Sequence, residues 1–220
     1  MRLSAACRQA GRSIEEISLL AVSKQQTAQA IDAVAGLGQR AFGENYVDQA
    51  LDKIKALEKL DLEWHFIGPI QSNKTRAIAA HFDWVQSVDR PKIIRRLAEQ
   101  RPDDHAALNV LIQVNLDDEP QKAGCQPDQI GELAELIAAA PKLKLRGLMA
   151  IPAPREAYDA QLAVFEKLRR LQEQLAENYP VDTLSAGMTA DLEAAIAAGS
   201  TMVRVGTALF GTRRPLQYPP

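Results

Sequence analysis

Short apolar runs alternate with longer amphipathic ones along this chain. The short runs are ISLLAVS (17–23), RAFGE (40–44), EWHFIG (63–68), DWVQSV (83–88), LNVLIQVNL (108–116), LKLRGLMAI (143–151), VDTLSAG (181–187) and TMVRVG (201–206). Each reads as a strand bounded by polar or turn-forming residues. Between them, helical spacing of apolar positions predicts helices over 27–36, 46–59, 73–81, 90–100, 127–139, 156–178 and 189–198. Residues 3–10 predict a further helix before the first strand. In DLEAAIAAG, for example, Leu192, Ala195 and Ile196 share one face and Gly199 supplies the C-terminal stop.

Eight strands alternating with helices call for a parallel sheet covered by helices. An open doubly wound sheet and a closed (β/α)₈ TIM barrel both satisfy the pattern, and the count of eight favours the barrel. No glycine-rich dinucleotide fingerprint or P-loop follows the first strand, and no linker-like stretch divides the chain. A single α/β domain over residues 1–220 is expected.

Composition narrows the class. The 220 residues are 46% hydrophobic and 25% charged, which suits a soluble globular chain with a sizeable core. A net charge of -2 gives no general affinity for nucleic acid or anionic membrane. The start, MRLSAACRQAGRS, lacks the apolar core of a signal peptide, and no run approaches the roughly 18 apolar residues of a membrane span. Cys7 and Cys125 lie far apart and lack metal-ligand spacing, so two free thiols and a cytoplasmic location are expected.

In parallel α/β folds, chemistry gathers at the C-terminal ends of the strands. The first strand ends at Ser23-Lys24, where a lysine follows four apolar residues. The loops after strands seven and eight, SAGMT and VGTALFG, carry small residues, with Thr189 a candidate N-cap and Gly206 and Thr207 close behind strand eight. Small residues there let several backbone N–H groups converge on a phosphate, and barrels often build that site from these two loops. Arg204 stands inside the apolar strand MVRVG and needs a partner, either a structural acid or a ligand acceptor in the barrel mouth. His65 reads as a hydrogen-bonded core residue, His81 and His105 as surface residues. Asn45, in GENYV, is a candidate N-cap, and Lys74 and Arg76 mark either a place for an anion or a solvated face. No metal site is expected.

A lysine at the end of strand one, a phosphate cradle after strands seven and eight, and an arginine on strand eight suit pyridoxal 5'-phosphate, which has an aldehyde, a phosphate and a ring nitrogen. Across nearly its whole length the sequence resembles the pyridoxal phosphate homeostasis proteins, the YggS/PROSC family. The resemblance rests on LLAVSK, FGENYV, WHFIGPIQSNK, LRGLMAIP and TLSAGMTADLEAAIAAGSTMVRVGTALFG. It implies a single (β/α)₈ barrel similar to the alanine racemase N-terminal domain, pyridoxal phosphate fold type III. It implies a Schiff base on Lys24, phosphate contacts from Ser185, Gly206 and Thr207, Arg204 facing the pyridine nitrogen, and Asn45 near the cofactor. This chain reads SKQQT where the family often reads SKTKP, and it reaches its lysine after a shorter N-terminal stretch than the family often has.

The resemblance implies a protein that binds and buffers the cofactor inside the cell. Its recipients would be apo-enzymes that need pyridoxal phosphate, and the expected state is a monomer. The chain stops at RRPLQYPP soon after strand eight, leaving no room for the second domain that completes a racemase site, so an open barrel mouth and no amino-acid turnover are expected. The alternative is a small racemase-like or decarboxylase-like enzyme using the same lysine, for which Tyr46 is the only second acid–base candidate. A third reading is a cofactor-free barrel that binds a phosphorylated sugar.

Overall fold

The computed structural model describes residues 2–117 and 123–211, so the RRPLQYPP segment lies outside the described residues. Eight strands run in chain order: β1 (Ser18–Val22), β2 (Ala41–Glu44), β3 (Glu63–Phe66), β4 (Trp84–Val88), β5 (Leu108–Gln113), β6 (Leu143–Met149), β7 (Thr183–Ser185) and β8 (Met202–Val205). Each pairs in parallel with its neighbours in sequence, and β8 pairs with β1, with Leu20 beside Arg204. The sheet is a closed barrel, which settles the choice between the two architectures.

The helices cover the outside. They are α1 (Arg2–Gln9), α2 (Ala28–Gly36), α3 (Val47–Ala56), α4 (Thr75–His81), α5 (Pro91–Gln100), α6 (Ile130–Ala138), α7 (Tyr158–Ala176), α8 (Leu192–Ala197) and the single turn α9 (Thr207–Phe210). The expected helix before the first strand is α1, which packs Ala6 and Cys7 with Ile196 of α8 and Val203 of β8. Two caps differ from expectation. α3 begins at Val47 with Tyr46 at the cap position, so Asn45 stands one residue too early to reach the first helical amides. α8 begins at Leu192 rather than 189, and Asp191, not Thr189, occupies the cap. The Asp191 carboxylate turns back to accept the Met188 N–H at 2.6 Å, and that closes residues 188–191 into a turn.

Strand alternation sorts the side chains into two regions. Trp64, Phe66 and Val85 point outward into the main core beneath the helices. Inside the barrel lie two small apolar groups, Leu20, Ile67 and Met202 on one side and Trp84, Leu111 and Met149 on the other. Between the two runs a band of buried polar residues: His65, Gln86, Ser185 and Arg204. His65 is a core residue as expected, while His81 and His105 are exposed. Cys7 and Cys125 are free and buried, and burial pushes the Cys125 thiol up to about 12. Among the described residues no helix is long and apolar enough to cross a membrane, and no cluster of His, Cys, Asp or Glu could hold a metal.

Candidate functional site

The C-terminal end of the barrel carries a hollow of about 270 Å³, near the lower end of the small-molecule range. Its walls are Val22, Lys24, Gln26, Met188, Thr189, Ala190, Arg204, Gly206, Thr207 and Gly211. The turn after β1 and the loops after β7 and β8 thus meet in one place, although they lie some 180 residues apart in the chain. Lys24, Arg204, Gly206 and Thr207 are brought together there.

Lys24 is placed by the residues around it. β1 ends at Val22, and the Ser23 N–H donates to the Gly43 carbonyl at 3.0 Å, carrying the ladder one residue further. The Ser23 hydroxyl donates to Glu44 Oε1 at 2.6 Å, and Lys53 Nζ donates to the Ser23 carbonyl at 3.0 Å and to Glu44 Oε1 at 2.7 Å. The Gln26 N–H then donates back to the Ser23 carbonyl. Gln25, in that turn, is left-handed at φ 64, a conformation that costs a non-glycine residue about 1 kcal/mol. Glu44, Ser23 and Lys53 are all buried. Sequence reasoning passed over Lys53, yet it falls on the buried spacing of α3 with Val47 and Ala50, where a lysine is out of place.

Arg204 is buried at 3% exposure, and its hydrogen-bond acceptors among the described residues are carbonyls and a hydroxyl. Its guanidinium donates to the carbonyl and the hydroxyl of Ser185 at 2.8 and 2.7 Å, and to the Ala150 carbonyl at 2.8 Å. Backbone carbonyls and a hydroxyl, rather than a structural acid, hold this charge, and the residue also borders the hollow. Desolvation lowers its pKa to about 10, which leaves it protonated at neutral pH.

Ser185 is fully buried behind Arg204 and is not part of the hollow's wall. Its hydroxyl proton goes to Gln86 Oε1 at 2.7 Å. In this structure the hydroxyl is thus engaged inside the barrel, away from the hollow that Gly206 and Thr207 line. Gly206 and Thr207 open α9, where the Leu209 and Phe210 amides donate to the Gly206 carbonyl. A Cβ on Gly206 would stand 3.1 Å from the Val22 carbonyl oxygen. Gly187, in the facing loop, has φ +92, and a Cβ there would lie 2.5 Å from the Ala195 methyl.

Asn45 and Tyr46 border a separate hollow, with Phe66, Pro69, Gln71 and Lys74. The Asn45 Oδ1 atom is buried with no hydrogen-bond partner among the described residues. Tyr46 is 51% exposed and does not share the hollow that holds Lys24. Lys74 bonds both Asp48 carboxylate oxygens, at 2.7 and 2.9 Å, and Arg76 is exposed.

The family described as alanine racemase, N-terminal domain, matches residues 2–214. The chain is 54% identical over 216 residues to the pyridoxal phosphate homeostasis protein of Escherichia coli (strain K12), a match covering 96% of this chain and 92% of that protein. It is similar to the solved structure of PipY from Synechococcus elongatus PCC7942 without PLP, with TM-score 0.83 and 36% identity over 96% of this chain and 99% of PipY. Against PipY with PLP bound the TM-score is 0.81 and the identity 33%, over 95% of this chain and 100% of PipY.

Proposed function

This chain belongs to the pyridoxal phosphate homeostasis family, which carries the alanine racemase N-terminal barrel, and from that membership we propose that it binds pyridoxal 5'-phosphate and buffers or delivers it without turning over amino acids. The observation that carries the reading is the hollow that joins Lys24 to Arg204, Gly206 and Thr207. The residues fit the group. A primary amine stands at one wall, glycine keeps the backbone close at another, and a protonated guanidinium lies between. The PLP-bound PipY structure supports the same cofactor.

When bound, pyridoxal phosphate supplies an aldehyde carbon that a lysine amine can attack, with loss of one water. In this reading Lys24 is the attachment point, and the amides of Gly206 and Thr207 take the phosphate. Arg204 donates only, so a ring nitrogen opposite it stays unprotonated. Asn45, with its orphaned Oδ1, lies toward the same end of the barrel and serves the rim. Ser185 serves by holding Arg204.

The lining supports a reading without turnover. Proton transfer at a substrate carbon needs a base on one face, an acid on the other and exclusion of water. Lys24 and Arg204 are the only titratable side chains of the hollow among the described residues, and Tyr46 borders a different one. We place the protein in the cytoplasm, as one domain spanning 1–220 and a monomer, with apo-enzymes as recipients.

The test is the visible absorption spectrum of the protein with pyridoxal phosphate, before and after borohydride. The reduced adduct is expected on Lys24 and absent in Lys24→Ala; an adduct on Lys74 instead overturns the assignment. Incubating the loaded protein with L-alanine in deuterated water is expected to leave Cα unlabelled beyond the rate of free cofactor. Faster labelling promotes the racemase-like alternative.

A further inference from the structure

A continuous hydrogen-bonded chain runs through the barrel interior from the hollow at its C-terminal end to the opposite rim. Arg204 Nη1 lies 2.7 Å from Ser185 Oγ, and Ser185 Oγ lies 2.7 Å from Gln86 Oε1. Gln86 Nε2 lies 2.9 Å from His65 Nδ1, and His65 Nε2 lies 2.7 Å from Glu63 Oε1. Arg204, Ser185, Gln86 and His65 are buried, whereas the Glu63 side chain is 46% exposed. Glu63 opens β3 and borders a second hollow, with Trp84 and Arg146, at the N-terminal end of the barrel.

The two ends fix the direction of every bond between them. A guanidinium can only donate, and an ionised carboxylate can only accept. Arg204 therefore donates to Ser185, which spends its one proton on the Gln86 carbonyl oxygen. That leaves the Gln86 amide nitrogen as donor, so His65 Nδ1 must accept. The imidazole is then neutral, carries its proton on Nε2 and gives that bond to Glu63. The protonation tendencies of the two groups agree with this. Burial lowers the His65 pKa and favours the neutral ring, and the hydrogen bond from His65 lowers that of Glu63 and keeps it ionised. The ring cannot swing out of line, because it stacks on Trp84 at 5.1 Å and 8°, and Arg146 covers Trp84 from 4.5 Å.

We infer that Gln86 and His65 are positioning residues for the cofactor end of the barrel: they orient Ser185 and hold the Arg204 guanidinium through a one-directional chain anchored on Glu63 at the far rim. The inference rests on the reading that Arg204 serves the bound cofactor, and it explains why a barrel interior gives up apolar packing for four polar side chains. Each would be costly to bury alone, and together every one of the four has at least one hydrogen-bond partner within the chain. Gln86 is the middle link. Its amide donates on one side and accepts on the other, and no residue of the same size but different chemistry does both.

The first measurement needs no cofactor. Long-range ¹H–¹⁵N spectra of the ¹⁵N-labelled full chain at pH 7 are expected to show His65 neutral with its proton on Nε2; an Nδ1-protonated ring or an imidazolium overturns the chain's direction. Gln86→Met keeps the volume and removes both links. With pyridoxal phosphate it is expected to bind roughly tenfold more weakly, the scale of leaving a buried hydrogen-bonding partner unsatisfied. Its absorption maximum is expected to shift, while the borohydride adduct stays on Lys24. An unchanged affinity and spectrum in folded Gln86→Met overturns the positioning role. Should wild type form no adduct at Lys24, the cofactor reading fails, whereas the direction of the chain is still decided by the histidine spectra.

Discussion

Lys53 and Glu44 form a buried ion pair, Nζ to Oε1 at 2.7 Å, directly behind the turn that presents Lys24. The second carboxylate oxygen of Glu44 has no hydrogen-bond partner among the described residues, so the charge depends heavily on Lys53 and Ser23. Removing one partner leaves the other charge buried. Lys53→Met is expected to cost about 3–5 kcal/mol in urea unfolding. The double variant Lys53→Met, Glu44→Gln is expected to recover most of that loss. A double variant no more stable than Lys53→Met rules out this pairing as the cause.

The glycines of the two facing loops separate folding from binding. Gly206 has a negative φ, and the atoms nearest to a Cβ there belong to Val22, its carbonyl at 3.1 Å and its side chain at 3.5 Å. Gly206→Val is expected to fold and to bind pyridoxal phosphate poorly by fluorescence titration. Gly187→Ala combines a left-handed φ with a 2.5 Å approach to Ala195, so its loss is expected in stability, about 1–3 kcal/mol. Wild-type affinity in folded Gly206→Val places the phosphate elsewhere.

Arg204 bridges two strand ends, from the Ser185 carbonyl to the Ala150 carbonyl. A lysine keeps the charge but lacks the planar fork that reaches both. Arg204→Lys is expected to lose about 1–3 kcal/mol of stability through an unsatisfied carbonyl, seen in the midpoint of thermal unfolding. Equal midpoints mean that one carbonyl finds another donor.

His65 makes the fold acid-sensitive. Its pKa in the folded state lies below the ordinary value of 6.5, because burial disfavours the charged ring. Below that value the unfolded chain takes up a proton that the folded one resists. The stability is complete above about pH 6.5 and is lost as pH falls toward the folded value, at up to about 1.4 kcal/mol per pH unit. Urea midpoints at pH 7.5, 6.5 and 5.5 measure the slope. In His65→Phe this part of the slope is expected to vanish, and a slope equal to wild type assigns it to another group.

Much of this was legible in the pattern of residues. The eight apolar runs became eight strands within one to three residues at most ends, since a strand buried on both faces must be apolar throughout. Lys24 was legible for the same reason, as a charge where such a run stops. The caps at Asn45 and Thr189 were misplaced because cap preference is local, while the close approach of Gly68 to the Asn45 backbone and the Asp191 turn are features of the folded chain.

By itself the sequence determined the alternation, the strand ends and the small residues of the loops after β7 and β8, all of which depend on neighbours a few positions away. Only barrel closure decided what those residues face. It put Tyr46 and Asn45 at a different hollow from Lys24, and turned Ser185 inward to Gln86. It buried Lys53 against Glu44, and lined up Glu63, His65, Gln86, Ser185 and Arg204 across four strands. The period of two along a strand says which residues point inward. Which of them lie at one level depends on the stagger between strands, and that is set by the closed sheet as a whole.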